Sequence, residues 1–177
     1  MRKVIILYGV AGTGKSTIAE RLHEDLGLNI LRTYTTRERR PMESEINHVF
    51  ADIDYKREDN EARILKYNNH GKEYWSYLSD FKNSDLAILD ANSAAEIKRT
   101  LKGDCIVIKL TADSILLTER VVKRNQSTKE EAVQVLREEF LSEDWVEFIS
   151  DYTIDTGLLN VEETLDFLKK LIKSNEK

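Results

Sequence analysis

Cysteine is all but missing from this chain: the one residue of its kind, Cys105, leaves no disulfide and no thiolate metal framework possible within it. It lies in the apolar run Cys105-Ile106-Val107-Ile108, where a buried strand thiol is the expected role rather than a nucleophile. Proline is as scarce, and the single Pro41 falls in a polar stretch without clear periodicity. Long apolar runs are missing too: none approaches the roughly 20 residues that a membrane span needs. The apolar stretch at 4–7 is too short for a secretory leader, so a soluble, cytoplasmic protein is expected. An excess of positive charge is also lacking. With 27 basic against 32 acidic residues the net charge is -5, which argues against general nucleic-acid binding, because backbone affinity needs a basic surface. The basic residues that exist are bunched, at Arg37 to Arg40 and at Arg120 to Arg124. Such runs are more often solvated faces than sites, so they need a second argument.

What is present suits one domain. A chain of 177 residues, 41% hydrophobic and 33% charged, is long enough to bury a full core without staples. Residues 3–8 read as a strand buried on both faces, residues 15–26 as an amphipathic helix with Gly27 at its C-terminal cap, and residues 28–34 as a second strand. From 35 to 83 periodicity fades, apart from the cluster Tyr74-Trp75-Ser76-Tyr77, as in an inserted subdomain. Alternation resumes with a strand at 86–89, a helix at 94–101, a strand at 105–110 and a helix from about 114. Residues 127–131 have capping-box character and open a long helix ending near 150, followed by a short strand at 152–154 and a helix at 161–172. Repeated strand and helix units imply an α/β fold with a parallel sheet covered on both faces.

Between the first strand and the first helix stands Gly9-Val10-Ala11-Gly12-Thr13-Gly14-Lys15-Ser16, which meets the phosphate-loop pattern GxxxxGK[ST] at every fixed position. Glycines let successive backbone N–H groups of Gly9, Ala11, Gly12, Thr13 and Gly14 turn toward one phosphate, and the helix N-terminus at Ser16 and Thr17 adds partial positive charge. Lys15 is expected at the β- and γ-phosphates of ATP and the Ser16 hydroxyl at Mg²⁺. The strand at 86–89 ends in Asp90, a carboxylate suited to serve the same metal, although many strands end in Asp simply as a turn former.

Thr35-Thr36-Arg37-Glu38-Arg39-Arg40-Pro41-Met42-Glu43 closely resembles the TTRxxRxxE segment that follows the second strand of guanylate kinases. Ile88-Leu89-Asp90 resembles that family's ILD strand, and Arg120-Val121-Val122-Lys123-Arg124 resembles the RxxxR of its lid, so the likeness runs over almost the whole chain. It implies that Arg37 and Arg40 grip the acceptor phosphate, that Glu43 holds their segment, and that Arg120 and Arg124 close over the transferring phosphoryl group. It also implies a P-loop fold in one domain over 1–177, with a core at 1–34 and 84–177, an acceptor-binding insertion at about 35–83 and a lid at about 120–130.

The chain departs from that family where the acceptor is read. The phosphate-binding tyrosine of a YxF falls on His48, with one residue fewer in the spacing, and a second tyrosine corresponds to Tyr74 or to Trp75. The base-reading glutamate falls on Lys66, which cannot accept a hydrogen bond. A second carboxylate becomes Asn92, while the base-contacting serine becomes Thr33. A later lid arginine falls on Val135, with Arg137 nearby but elsewhere on the helix. Loss of both carboxylates is expected to relax or redirect guanine specificity. The partners expected are ATP and a small phosphorylated acceptor, with no nucleic acid and no membrane, and the chain acting as a monomer or homodimer. GMP is the default acceptor. The alternatives are a sugar phosphate, as in the related ribose 1,5-bisphosphate phosphokinases, a non-catalytic guanylate-kinase-like binding module, and a nucleotide switch that hydrolyses ATP without an acceptor.

Overall fold

The computed structural model describes residues 3–40, 43, 45–101, 103–143 and 150–174. Pro41 and the expected extension of the fifth helix to 150 lie outside the described residues. In chain order the elements are β1 (Val4–Tyr8), α1 (Lys15–Leu26), β2 (Thr33–Thr35), β3 (His48–Phe50), β4 (Arg63–Asn69), β5 (Lys72–Tyr77), α2 (Leu78–Lys82), β6 (Leu86–Ile88), α3 (Ala91–Leu101), β7 (Cys105–Thr111), α4 (Ser114–Asn125), α5 (Lys129–Glu143), β8 (Tyr152–Asp155) and α6 (Val161–Ser174).

The central sheet is parallel throughout, in the order β6-β1-β7-β8, with Ile5 opposite both Leu86 and Ile106. Its middle strand shows why the run Val-Ile-Ile-Leu-Tyr folds this way. Successive strand residues point to opposite faces. Ile5 and Leu7 therefore pack with Ile18 and Leu22 of α1 and with Leu165 and Leu168 of α6. Ile6 and Tyr8 pack instead with Ala91, Ala94 and Ile97 of α3. Each fully buried aliphatic side chain contributes about 1.5–3 kcal/mol relative to exposure. Cys105 joins the second core, and burial raises its thiol pKa, as fits a packing residue.

Caps end and begin the helices where the sequence marks them. Gly27 adopts a left-handed φ of 66° and donates to the His23 carbonyl at 2.8 Å. Thr128 and Glu131 form a reciprocal capping box at the start of α5, with N–H to side-chain distances of 2.8 and 3.2 Å.

Residues 28–34 differ from expectation. Only Ile30 bridges to Leu86 of the central sheet, and the chain then leaves it. Thr33–Thr35 is a strand of a second, mixed sheet ordered β3-β2-β5-β4, so this sheet begins two residues before the expected insertion. A hairpin, β4–β5, fills the stretch where periodicity fades. It turns on His70 and Gly71, both left-handed at φ 50° and 74°, as a type I′ loop requires. Tyr34, Trp75 and Tyr77 form the buried aromatic cluster of this sheet, with the Arg63 guanidinium 4.0 Å from the Trp75 ring centre.

Because every strand of the central sheet runs the same way, their carboxyl ends share one edge. Gly9 follows β1, Asp90 lies just beyond β6, and Thr156 follows β8. The neighbours of β1 come from later in the chain on both sides, and a crevice opens at that edge, where open α/β sheets bind ligands.

Candidate active site

The crevice is a cleft of about 940 Å³, and the second sheet forms its far wall. On the near wall Gly9 has a φ of 141°, and a Cβ there would lie 2.2 Å from the Leu110 carbonyl oxygen, so only glycine fits. The loop is tightened by the Thr13 hydroxyl, which donates to the Val10 carbonyl at 2.8 Å. Lys15 folds back over the loop, its ammonium donating to the carbonyls of Gly9 at 2.5 Å and Val10 at 2.9 Å. Ser16 and Thr17 are exposed along the cleft in the first turn of α1. The Ala11 N–H donates to a carboxylate oxygen of Glu139 at 2.5 Å.

On the far wall Arg37 and Glu43 form a two-pronged pair at 2.8 and 2.6 Å, and the Arg37 Nε donates to the Tyr74 hydroxyl at 3.2 Å. The Glu43 carboxylate also accepts the Arg40 N–H at 3.0 Å. Burial would raise the Glu43 pKa, but the Arg37 fork and the Arg40 amide outweigh it and hold the pKa at about 2. Arg37 is correspondingly held charged: burial opposes the charge, and Glu43 overcomes it. The Arg40 guanidinium reaches Glu43 only at 3.9 Å, and burial together with the Arg37 charge lowers its pKa.

His48 lies beside this group, 3.9 Å from Glu43, with its Nδ1 hydrogen-bonded to the Asn47 side chain at 2.8 Å. Burial, then the Arg37 charge, pushes its pKa down to about 4, so the ring is neutral at pH 7. In the unfolded chain both groups titrate higher, near 6.5 for histidine and 4.5 for glutamate. Depressed native values mean that the unfolded state binds more protons, so stability falls as pH falls. The loss begins below about 6.5 through His48, worth up to about 3 kcal/mol by pH 4, and continues through Glu43 toward about 2. Urea denaturation from pH 7 to 4 is expected to show this early loss in the wild type and to show much less of it in His48→Gln.

The two arginines of α4 expected to close over the transferred group divide. Arg120 is tied down, donating to the Gly12 carbonyl at 3.1 Å and to the Thr156 hydroxyl and carbonyl at 3.0 and 2.9 Å. Arg124 is exposed to the cleft and bonds the Asn125 side chain at 3.1 Å. Partial burial and the neighbouring Arg40 push its pKa down to about 10, which leaves it charged at neutral pH.

Asp90 caps α3, its Oδ1 accepting the N–H groups of Asn92 and Ser93 at 3.0 and 3.1 Å, while its buried Oδ2 has no hydrogen-bond partner among the described residues. An orphaned carboxylate oxygen and the Ser16 hydroxyl are hard oxygen donors of the kind Mg²⁺ takes, so the residues fit that ion. No group of three or more histidine, cysteine or acidic side chains among the described residues could hold a metal by itself, and a kinase Mg²⁺ is commonly shared with substrate phosphates.

Thr33, Tyr74 and Asn92 line the cleft with the residues above. Lys66 does not, and the expectation for it is corrected. A bulge between Ile64 and Tyr67, with Leu65 left-handed at φ 49°, buries Leu65 in the core and leaves Lys66 exposed outside the cleft. Tyr67 faces the cleft instead, stacked on Tyr74 with ring centres 4.7 Å apart. Burial first, then the negative charge of Asp90, pushes its phenol pKa well above the ordinary value, so it remains a donor. Sequence reasoning missed Tyr67, His70, Glu139 and Thr156. Of these only Thr156 had a local signal, standing before Gly157 at the end of a strand.

A family model described as an AAA domain matches residues 5–146. A guanylate kinase of Mycoplasmopsis pulmonis is 30% identical, the match covering 96% of this chain and 95% of that protein. One of Fusobacterium nucleatum is 26% identical, over 97% of this chain and 96% of that protein. Among solved structures, a guanylate kinase from Anaplasma phagocytophilum superposes with a TM-score of 0.65 at 19% identity, covering 99% of this chain and 87% of that one. A shikimate kinase from Acinetobacter baumannii in complex with shikimate gives 0.55 at 22% identity, covering 98% and 94%, so these two speak for the fold. With a phosphate loop on one wall of the cleft, paired arginines on the other, and this degree of likeness along nearly its full length, the chain belongs to the guanylate kinase family of P-loop proteins.

Proposed function

We propose that this kinase transfers the γ-phosphoryl group of ATP to the phosphate of a nucleoside monophosphate, with GMP the first acceptor to test. The observation that carries the reading is the opposition of two anion-binding walls across one cleft, the Gly9–Ser16 loop facing Arg37 and Arg40. Lys15 exchanges the carbonyls of Gly9 and Val10 for the β- and γ-phosphates. Arg37, clamped by Glu43, fixes the acceptor segment, and Arg40 presents its less engaged guanidinium to the acceptor phosphate. An oxygen of that phosphate attacks the γ-phosphorus in line, and the bond from γ-phosphorus to the bridging oxygen of ADP breaks. Arg120 and Arg124 offset the negative charge spreading over the transferred group, and no side-chain nucleophile is required. Mg²⁺, held by Ser16 and Asp90, supplies further charge neutralisation when bound.

A sugar-phosphate acceptor is favoured by one observation. No carboxylate stands at either expected base-reading position, and the Tyr67 ring, stacked on Tyr74, faces the cleft. A neutral phenol donates one hydrogen bond and cannot accept the paired donors of a guanine edge as a carboxylate does. An intact phosphate loop speaks against the non-catalytic module. The test is ADP release in a coupled assay with GMP, dGMP, AMP, CMP, UMP, dTMP and ribose 1,5-bisphosphate. Stimulation by a nucleoside monophosphate is the expected result, and an ATPase rate that none of these acceptors changes would overturn the reading.

A further inference from the structure

The hydrogen bond from Ala11 to Glu139 joins a backbone amide of the phosphate loop to a carboxylate 128 residues away. The N–H groups of such a loop have one task, to bind anions, and here one of them already holds an anion supplied by the chain. Its placement follows from packing. Ala132 and Leu136 of α5 are buried against Val10, Ala11, Leu117 and Val121, which seats the helix directly behind the loop. Glu139 comes three residues after Leu136, on the same side of the helix, and so reaches the loop. A strut fixes the outer end: Glu138 pairs with His70, at the tip of the β4–β5 hairpin, at 2.8 Å, and Glu139 stands 3.9 Å from the same ring. The charge of Glu139 also acts on Arg40 and Arg124, so it sits among the cations that the reaction assigns to phosphate.

We propose that Glu139 is an internal anion that competes with the ATP phosphates for the loop, and that donor affinity is set by how readily its carboxylate leaves the Ala11 amide. A phosphate oxygen and the carboxylate seek the same N–H and repel each other in a cleft partly shielded from water. Binding of ATP therefore expels Glu139, and with it the contact that draws α5 onto the loop. Glu139 is in this sense a positioning residue of the empty enzyme. The inference rests on the reading that the loop binds ATP.

Titration calorimetry of the full chain with ATP alone, for wild type, Glu139→Gln and Glu139→Ala, tests it. Removal of the carboxylate is expected to tighten ATP binding by about tenfold or more, the factor a charge-assisted hydrogen bond is worth. The glutamine variant should fall between, because its amide oxygen still accepts from Ala11 without the charge. It is also isosteric, so it retains the test if the alanine variant does not fold. A carboxylate with a purely structural role would move affinity the other way, since its loss would loosen the loop. ATP binding of equal or lesser strength in the variants overturns this inference alone, whereas no ATP binding by the wild type overturns the kinase reading and this inference with it.

Discussion

Arg124→Ala is expected to lower kcat by about 10³ while the melting temperature stays within about 2 °C of wild type. The two halves of the result have separate physical grounds. Catalysis depends on cations arranged before the negative charge spreads, and an arginine acting on that charge contributes about 10³ to 10⁵ in rate. Stability should change little, because this side chain lies largely exposed along the cleft and the repulsion from Arg40 and Arg37 is set against the attraction of Glu139 and Glu43. Arg120 contrasts with it, since its three hydrogen bonds join α4 to the phosphate loop and to the end of β8. Arg120→Ala should therefore lose both activity and stability. Arg124→Lys restores the charge without the planar fork and should recover only part of the rate. Steady-state kinetics with saturating ATP and acceptor, alongside thermal melts, separates these outcomes. A fall in kcat of less than about tenfold for Arg124→Ala would remove Arg124 from the reacting group.

The parts of this protein that local chemistry determines were legible in its sequence. Val4 to Tyr8 reads as a central strand because alternate side chains must find two cores, and they do. The phosphate loop is legible because its shape needs glycine and its charge needs Lys15, all within eight residues. The Thr128 and Glu131 box is equally local. What failed to show is tertiary. Leu28, Ile30 and Leu31 carry a strand pattern, yet whether they pair with Leu86 or pass it by depends on where Thr33 to Thr35 finds partners. The bulge at Leu65 hid the hairpin by breaking its alternation, and it turns Lys66, the position matched by resemblance, away from the cleft, because an inserted residue sends every later side chain to the opposite face. Glu139 on the loop has no signature in spacing at all, since its partner lies 128 residues earlier.

Gly9→Ala is expected to damage the enzyme more broadly than any change to a charged side chain. The methyl group would lie 2.2 Å from the Leu110 carbonyl oxygen, a backbone atom of β7, and Gly9 holds a φ of 141° that side chains rarely adopt. Strain of about 1–3 kcal/mol for the backbone adds to about 1–3 kcal/mol for overpacking. For a chain of this length the sum lowers the melting temperature by roughly 10 °C. The effect cannot stay local, because Leu7 pairs with Ile108 and Tyr8 with Lys109 immediately before the glycine. To relieve the clash the loop must lift from the edge of β7, and the Gly9 carbonyl that Lys15 engages moves with it. ATP affinity should fall together with stability. Gly14 supplies the control: its φ is 90°, but a Cβ there meets nothing within 4 Å, so Gly14→Ala carries backbone strain without the collision. Thermal melts of the two variants should therefore differ by several degrees, and a Gly9→Ala protein as stable as Gly14→Ala would mean that the loop does not rest on β7 as this contact requires.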